Sequence, residues 1–192
     1  VCGSGMKTIM NGFTQIKAGF HHLVVAGGAE SMSGAPYLVP SQVRQGVKMG
    51  DQQMKDHMIY DALTDAFEEY HMGITAENLV AKYNILREEQ DHFAIHSQIK
   101  ARKAQLENRF DDEIVPITIK TRKGDIVFKH DEYINFQTTI EKLSTLRPAF
   151  KKDGSVTAGN SSGINDGASF TVLASESYAK KEHLKPLVEV VA

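Results

Sequence analysis

The chain opens with VCGSGMKTIMNGFTQIKAGFHHLVVAGG (residues 1–28), the stretch that decides its fold class. Apolar side chains recur there at helical spacing and predict a helix over residues 6–17; they are Met6, Ile9, Met10, Phe13 and Ile16. Gly19 stands where a helix commonly ends. The apolar run 22–26 predicts a buried strand of the parallel type. A helix followed by a strand at this spacing is half of an α/β unit, so the sequence predicts an α/β fold.

The composition excludes several classes of protein. The chain has 192 residues, of which 41% are apolar and 24% are charged, as in ordinary globular proteins. Its net charge of −2 gives no overall attraction to nucleic acid or to an anionic membrane. The single cysteine, Cys2, cannot form an internal disulfide or a cysteine-based zinc site, which excludes a disulfide-built secreted scaffold. No apolar run approaches the ~20 residues that span a bilayer, and we expect neither a membrane span nor a signal peptide.

The middle of the chain differs in character from what flanks it. Residues 31–56 show no hydrophobic period, which predicts a long excursion. Further elements are predicted to follow: helices over 58–70, over 76–83 with Thr75 as the N-cap, and over 88–108, and a β-hairpin of 114–120 and 125–129 around Lys123-Gly124.

α/β material returns after this middle. A Gly-rich stretch, 157–167, leads into an apolar strand over 169–174. A helix over 176–182 and a second buried strand over 187–191 are predicted next. We therefore interpret the middle as an insertion between two pieces of one α/β domain.

Cys2 is the first candidate for chemistry. It precedes a predicted helix whose backbone N–H groups and dipole would favour the thiolate, which is the nucleophilic form. The same N–H groups could stabilise an oxyanion on a substrate carbonyl. Taken alone, a single cysteine is more often a small buried side chain, so both interpretations stay open at this point.

Other polar residues carry weaker signals. His71 lies between two predicted helices, where a histidine more often caps or packs than takes part in chemistry. His92 and His96 are four residues apart on one helix face, but without a third ligand we expect solvated side chains and no metal site. Stretch 159–163 could wrap a phosphate or thioester with backbone donors, or form a tight turn. The Lys and Arg side chains along 87–109 are interpreted as a solvated face.

The order of these motifs resembles the thiolase family over essentially the whole chain. The resembling stretches are VCGSGM (1–6), AGGAESMS (26–33), DALTD (61–65), HMGITAEN (71–78), REEQD (87–91), DEIVP (112–116), LRPAF (146–150) and VTAGNSSGINDGA (156–168). The first two resemble the nucleophile region, the next five the loop domain of acetyl-CoA acetyltransferases, and the last the return into the catalytic domain. The resemblance implies a thiolase-like layered αβα architecture.

Three stretches with separate roles are implied by the resemblance. Residues 1–35 belong to the N-terminal thiolase domain, with the nucleophile helix and strand. Residues 36–150 form an inserted α+β loop domain that binds CoA and takes part in oligomerisation. Residues 151–192 return to the N-terminal domain and lead to the start of the C-terminal domain. Segment 33–49 resembles the part through which thiolases form tetramers, so we expect a homotetramer of the intact protein.

The resemblance also implies a reaction. Family members condense two acetyl-CoA to acetoacetyl-CoA and CoA, reversibly, through an acyl-enzyme thioester on a cysteine. Cys2 matches the acylated nucleophile. His71 and Met72 match the pair that lines the pantetheine arm and the thioester pocket, and their His-Met-Gly sequence resembles that of the short-chain enzymes. Other positions that contact CoA are matched by Leu63, Phe150, Ala158, Gly159 and Ser162. CoA thioesters are the expected substrates, and no cofactor or metal is expected.

The sequence departs from the family pattern in several places. Asn135 stands where family enzymes often carry an arginine near the adenine of CoA, so one expected contact is in doubt. The asparagine of an Asn-Glu-Ala-Phe motif, the base histidine of a Gly-His-Pro motif and a second cysteine are absent. We therefore expect this chain to be an internal part of a longer two-domain enzyme, and to be inactive alone.

Two alternatives to an acetyl-CoA acetyltransferase stay open. One is a 3-ketoacyl-CoA thiolase of fatty-acid breakdown, with the same fold and nucleophile. The other is a non-catalytic module that binds CoA or acyl groups. In each case we expect a cytoplasmic protein with neither nucleic acid nor a membrane as a partner.

Overall fold

The computed structural model describes residues 2–191; Val1 and Ala192, which begin and end two of the predicted stretches, lie outside the described residues. Helices and strands alternate along the chain. In chain order they are α1 (Ser4–Lys17), β1 (Leu23–Glu30), β2 (Tyr37–Leu38), a 3₁₀ helix (Ser41–Gln45), β3 (Lys55–Asp56), a π-helical turn (Met58–Leu63), α2 (Met72–Tyr83), α3 (Arg87–Leu106), β4 (Ile117–Thr121), β5 (Gly124–Phe128), α4 (Ile140–Ser144), β6 (Gly167–Ala174) and α5 (Glu176–Lys181).

These elements form two compact units. One comprises the residues up to 58 together with those from 164 onward, and the other comprises residues 59–163. The functional division at residues 35 and 150 that the sequence suggests stays a prediction. Among the described residues, no helix is both long and apolar enough to cross a membrane.

The first unit is built on a two-stranded ribbon with a helix packed across it. β1 pairs with β6 along the full length of both strands. A Cβ atom added at Gly12 would lie 2.8 Å from Cδ1 of Leu173 and 3.1 Å from Cγ1 of Val24. Helix α1 therefore approaches the ribbon closely because Gly12 has no side chain. The predicted helix over 6–17 is confirmed: α1 ends at Lys17, and Gly19, two residues later, has a positive φ of 78°.

The direction of the predicted strand over 22–26 is wrong. β1 and β6 run antiparallel, whereas the sequence indicates a parallel strand. An unbroken apolar run indicates that both faces of a strand are apolar. It does not indicate whether the neighbouring strand runs parallel or antiparallel to it. The face opposite α1 is apolar as well, since Val25, Phe170 and Val172 lie there with 61–66% of their surface exposed.

A polar contact joins the loops at one end of this ribbon. The backbone N–H of Ser33 donates to Oδ1 of Asp166 at 2.9 Å, and the Ser33 hydroxyl donates to Oδ2. The hydroxyl first, and the backbone N–H second, hold the pKa of the Asp166 carboxyl below its ordinary value, because both donors favour its charged form. The loop after β1 is thereby fixed to the loop before β6.

The second unit contains α2, α3, α4 and a hairpin. Strands β4 and β5 pair antiparallel and are closed by the Thr121–Gly124 pair, so the turn residues are Arg122 and Lys123. The predicted hairpin is confirmed, with its turn one residue earlier than expected. The predicted helix over 88–108 is confirmed as α3, and in the first unit the strand over 169–174 and the helix over 176–182 are confirmed as β6 and α5.

A buried ion pair organises the middle of the second unit. Asp91 on α3 is 1% exposed, and its Oδ2 lies 2.8 Å from Nε of Arg87. Its Oδ1 accepts a hydrogen bond from Nδ2 of Asn160 at 3.0 Å. Nη2 of Arg87 donates to the carbonyl oxygens of Leu143 and Leu146, at 2.7 and 3.0 Å. One carboxylate and one guanidinium thus join α3, the end of α4 and the loop at 160.

The solvated face predicted along residues 87–109 is wrong for two arginines. Arg87 takes part in the buried ion pair, and Arg102 donates to the carbonyl oxygens of Phe136 and Thr138, at 2.9 and 3.2 Å. A guanidinium carries five donors in a planar fork, which suits carbonyls left open at loop ends. Charge spacing along a helix does not reveal such distant partners.

The helix predicted over 58–70 ends at Leu63. The Asp65 side chain accepts hydrogen bonds from the N–H groups of Phe67 and Glu68, at 2.9 and 2.8 Å. These bonds offer the backbone an alternative to the helix. Glu69 adopts a left-handed conformation with φ of 58°, which ends any continuing helix.

The strand predicted over 187–191 is also wrong. Leu187, Val188 and Val191 are 82–93% exposed, and the described residues form no strand over this segment. A strand needs hydrogen-bonded neighbours, so an apolar run alone does not produce one.

We expect Ser33→Ala to raise the pKa of the Asp166 carboxyl toward its ordinary value, because the strongest donor to the charged form is removed. NMR titration of the side-chain carboxyl carbons measures this change. Asp65 is the control, since its lowered pKa depends on the N–H groups of Glu68 and Phe67 and should not change. The contact contributes to stability above the ordinary pKa of Asp166 and is lost as the pH falls through the lowered one. An unchanged pKa of Asp166 in the variant would contradict the assignment.

We expect Asp91→Ala to lower the free energy of unfolding by about 3 kcal/mol, because it leaves a guanidinium that is mostly buried without its carboxylate. Urea unfolding of the parent and variant chains gives the difference. Glu107→Ala is the matched control: this exposed glutamate pairs with Arg109 at 2.6 Å, and we expect a loss below about 1 kcal/mol. Equal losses for the two variants would show that the buried pair has no special role.

Candidate functional site

Cys2 lies at the beginning of the first unit. Its side chain is exposed, and α1 begins two residues later, at Ser4. Gly3 is the N-cap and provides no side-chain hydrogen bond, and no acidic residue lies in the first turn. The positive end of the helix dipole is therefore not neutralised by a side chain of this turn. The arrangement suits a negative charge that develops beside this terminus.

Thr8 fixes this helix terminus against the ribbon. Its hydroxyl donates to the carbonyl oxygen of Gly5 at 2.7 Å and lies 3.3 Å from that of Gly27. Gly5 is in the first turn of α1, and Gly27 is on β1. The first turn, which follows Cys2 directly, is thereby held on the strand.

His71 begins helix α2 in the second unit. As the N-cap, its Nδ1 accepts a hydrogen bond from the N–H of Gly73 at 2.9 Å. An accepting Nδ1 leaves the ring proton of a neutral imidazole on Nε2, where it is available as a donor. The N-cap predicted at Thr75 is therefore wrong: Thr75 lies inside the helix, because an imidazole nitrogen can cap a helix as a hydroxyl does.

Phe150 packs against the same helix terminus. Its ring centroid lies 4.8 Å from that of His71, with 23° between the ring planes. A Cβ atom added at Gly73 would lie 2.1 Å from the Phe150 ring, so the ring lies directly on the backbone there. Met72, between His71 and Gly73, keeps 37% of its surface exposed. These residues form an apolar surface with one ring N–H beside it.

Leu63 is brought close to this surface through its neighbour. Thr64 forms an isolated antiparallel bridge with His71, and its hydroxyl donates to the carbonyl oxygen of Ile59 at 2.7 Å. Leu63 precedes Thr64 at the end of the π-helical turn. The structure thus brings Leu63, His71, Met72 and Phe150 into one region.

Ala158, Gly159 and Ser162 lie on a loop that the buried side chain of Thr157 stabilises. Thr157 is 0% exposed, and its hydroxyl oxygen accepts the N–H groups of Gly159 and Asn160 at 3.2 and 3.3 Å. The side chains of Ala158 and Ser162 are exposed. The N–H of Ala149 donates to the carbonyl oxygen of residue 156 at 2.9 Å, which places the segment of Phe150 beside this loop.

The structure therefore collects all seven predicted CoA contacts in the second unit, whereas Cys2 belongs to the first. Their roles stay predictions. Asn135, where an arginine contact to CoA is missing, forms a local turn instead: its Oδ1 accepts the N–H of Gln137 at 2.8 Å.

Sequence reasoning missed Glu77, Asp91 and Asn160 as supports of this region. Asp91 holds the loop from α3 by binding Asn160, and Glu77, 4% exposed, holds it from α2. Arg87 and Asp91 are four residues apart, which could have indicated a pair on one helix face. For Glu77 no sequence signal was available, because its hydrogen-bond partners are 78 and 79 residues away.

Two other features lie apart from this region. His92 and His96 are exposed, with ring centroids 6.2 Å apart. Among residues 2–191, no group of three His, Cys, Asp or Glu side chains could hold a metal ion. Two clefts of about 350 and 480 Å³ lie along α3, and neither includes a predicted CoA contact.

The chain is similar to proteins of one known family. The family described as thiolase, N-terminal domain, matches residues 1–177. A Staphylococcus aureus protein named probable acetyl-CoA acyltransferase is 56% identical over 188 residues, which are 97% of this chain and 48% of that protein. The chain thus spans about half the length of such relatives.

Two solved structures have the same fold. The Bacillus anthracis acetyl-CoA acetyltransferase matches with a TM-score of 0.91 and 49% identity, over 97% of this chain and 47% of its own. Human mitochondrial 3-ketoacyl-CoA thiolase matches with a TM-score of 0.89 and 45% identity, over the same shares. The predicted thiolase-like α/β fold is confirmed, and the chain belongs to the thiolase family.

Proposed function

We propose that the full-length protein is an acetyl-CoA C-acetyltransferase, which condenses two acetyl-CoA to acetoacetyl-CoA and CoA and catalyses the reverse thiolysis. The observation that carries this proposal is the exposed thiol of Cys2 at the uncapped beginning of α1, in a chain of the thiolase family. A nucleophile that accepts the acetyl group divides one difficult carbon–carbon bond formation into two easier steps.

In the first step, the thiolate of Cys2 attacks the carbonyl carbon of acetyl-CoA. A bond forms between Sγ and this carbon, the bond to the sulfur of CoA breaks, and the CoA thiolate leaves and takes up a proton. Negative charge develops on the carbonyl oxygen in between. The dipole of α1 favours both the attacking thiolate and this oxyanion, since no acidic side chain lies in its first turn.

In the second step, the methyl group of another acetyl-CoA loses a proton. The resulting carbanion attacks the acetyl carbon on Cys2, the bond to Sγ breaks, and acetoacetyl-CoA leaves. The groups that move these protons in the family, the histidine of Gly-His-Pro and a second cysteine, do not occur in this sequence. We therefore propose that the 192-residue chain cannot complete a turnover alone.

The second unit supplies the binding surface for CoA in this proposal. The stacked rings of His71 and Phe150, with Met72 beside them, offer apolar contact to the pantetheine arm, and Nε2 of His71 offers a donor to a carbonyl oxygen. The loop carrying Ala158, Gly159 and Ser162 offers exposed small residues to the same arm. CoA thioesters enter as substrates, and no cofactor is invoked.

A 3-ketoacyl-CoA thiolase that acts on longer chains is the second candidate. The similarity to human mitochondrial 3-ketoacyl-CoA thiolase, at 45% identity, supports it. The His-Met-Gly sequence at 71–73, which resembles the short-chain type, favours the acetyltransferase instead. A non-catalytic CoA-binding module is the third candidate, and the reactivity of Cys2 distinguishes it.

We also propose a homotetramer of the full-length protein in the cytoplasm. Segment 33–49, which resembles the tetramer-forming part of thiolases, exposes apolar side chains; Val39, Val43 and Val47 are 39–55% exposed, and Met49 is 96% exposed. Apolar side chains exposed in succession are typical of an interface between protein chains.

We expect Cys2→Ala in the full-length protein to lower kcat for acetoacetyl-CoA thiolysis more than about 1,000-fold, because the acyl acceptor is removed. Steady-state assays of the CoA-dependent cleavage measure this. Thr14→Ala, an exposed position near the other end of α1, is the control and should retain full activity. Activity that survives Cys2→Ala would refute the proposal, and a Cys2 that reacts with iodoacetamide no faster than a free thiol would favour the non-catalytic module.

We expect kcat/KM for thiolysis to fall at least about tenfold from acetoacetyl-CoA to 3-ketooctanoyl-CoA, because a short-chain pocket excludes the longer acyl group sterically. The two substrates are compared with the same full-length preparation. A preference for 3-ketooctanoyl-CoA would instead assign the protein to the long-chain thiolases.

A further inference from the structure

Glu77 is a buried carboxylate in the interior of α2. It is 4% exposed, and its Oε1 accepts hydrogen bonds from the backbone N–H groups of Ser155 and Val156, at 2.9 and 2.8 Å. Burial of a carboxylate is costly unless hydrogen bonds compensate for the lost water. The side chain therefore holds the loop 154–162 at a defined place on the helix.

This contact connects the segments that carry the proposed CoA contacts. Six residues separate Glu77 from His71 on α2, a rise of about 9 Å along the helix axis. Val156, which donates to Glu77, also accepts the N–H of Ala149, the residue before Phe150. Thr157 follows at once and organises Gly159 through its hydroxyl.

The chain passes very close to this carboxylate. A Cβ atom added at Gly154 would lie 2.2 Å from Oε1 of Glu77, so a side chain there would displace the carboxylate or the loop. Nε2 of Gln90 donates to the hydroxyl of Ser155 at 2.8 Å, and Asn160 is held separately by Asp91. Because these other contacts also hold the loop, loss of the Glu77 contact should shift the loop and not unfold it.

We propose that Glu77 is a positioning residue for CoA: its carboxylate sets the loop carrying Ala158, Gly159 and Ser162 relative to the His71–Phe150 pair. This inference rests on the proposed function. The Oε1 atom of Glu77 is engaged by the backbone N–H groups of Ser155 and Val156, so Glu77 acts through the loop. Its loss should therefore weaken the affinity for CoA and spare the chemical step at Cys2.

The test uses the full-length protein with three substitutions. Glu77→Met has a similar volume and no acceptor, whereas Glu77→Gln retains an oxygen that accepts both N–H groups. Gly154→Ala keeps the carboxylate but separates it from the loop by steric overlap, whichever of the two moves, and it decides the outcome if Glu77→Met does not fold. Glu88→Met, at an exposed position on α3, is the matched control.

Three quantities are measured for each variant: the Kd of CoA by calorimetry, kcat and KM for acetoacetyl-CoA thiolysis, and the rate of alkylation of Cys2 by iodoacetamide. We expect Glu77→Met and Gly154→Ala to raise Kd and KM about tenfold, and Glu77→Gln to raise them no more than about threefold. The kcat, the alkylation rate and all values for Glu88→Met should stay within about twofold of the parent.

Unchanged Kd and KM in Glu77→Met and Gly154→Ala would overturn the proposal, and so would a fall in kcat with KM unchanged. An equal loss in Glu77→Gln and Glu77→Met would also overturn it, because retention of the acceptor should rescue binding. A parent protein that does not bind CoA, or that keeps its activity after Cys2→Ala, would refute the proposed function instead.

Discussion

The carboxylate of Asp91, buried between the guanidinium of Arg87 and the amide of Asn160, is the interaction on which the second unit depends. A charge so far from water is tolerated only if its hydrogen-bonding capacity is filled, so each partner must be in place. Since Arg87 also binds the carbonyl oxygens at the end of α4, one helix, the end of another and the loop at 160 are fixed together. The loop that carries the proposed CoA contacts thus takes its position from a polar network within the unit.

The sequence predicts most clearly those elements whose pattern is local. The apolar period of α1, the charge distribution of α3 and the alternation of the β4–β5 hairpin are readable because neighbouring residues determine them. The predictions for segments 58–70 and 187–191 were wrong for physical reasons that the hydrophobic period does not reveal. In the first, Asp65 competes for backbone N–H groups. In the second, an apolar run does not by itself provide the hydrogen-bonded neighbour that a strand needs, and the described residues form no strand there.

The candidate site divides in the same way. The order of motifs is sufficient to identify the family, and the resemblance predicts the nucleophile Cys2 and the seven CoA contacts. What ties the loop to the helices was not predictable, because Glu77 binds Ser155 and Asp91 binds Asn160, which lie 78 and 69 residues away along the chain. Such partners become neighbours only when the chain has folded. Supports of this kind therefore have to be found in the structure, even where the motif itself is plain.

The proposed role of Cys2, to accept an acyl group from a CoA thioester, is tested by mass spectrometry of the full-length protein after brief incubation with acetyl-CoA. We expect a gain of one acetyl group on the peptide that contains Cys2, released when free CoA is added and absent in Cys2→Ala. Acetylation confined to another residue, or none under conditions in which the protein turns over, would contradict it.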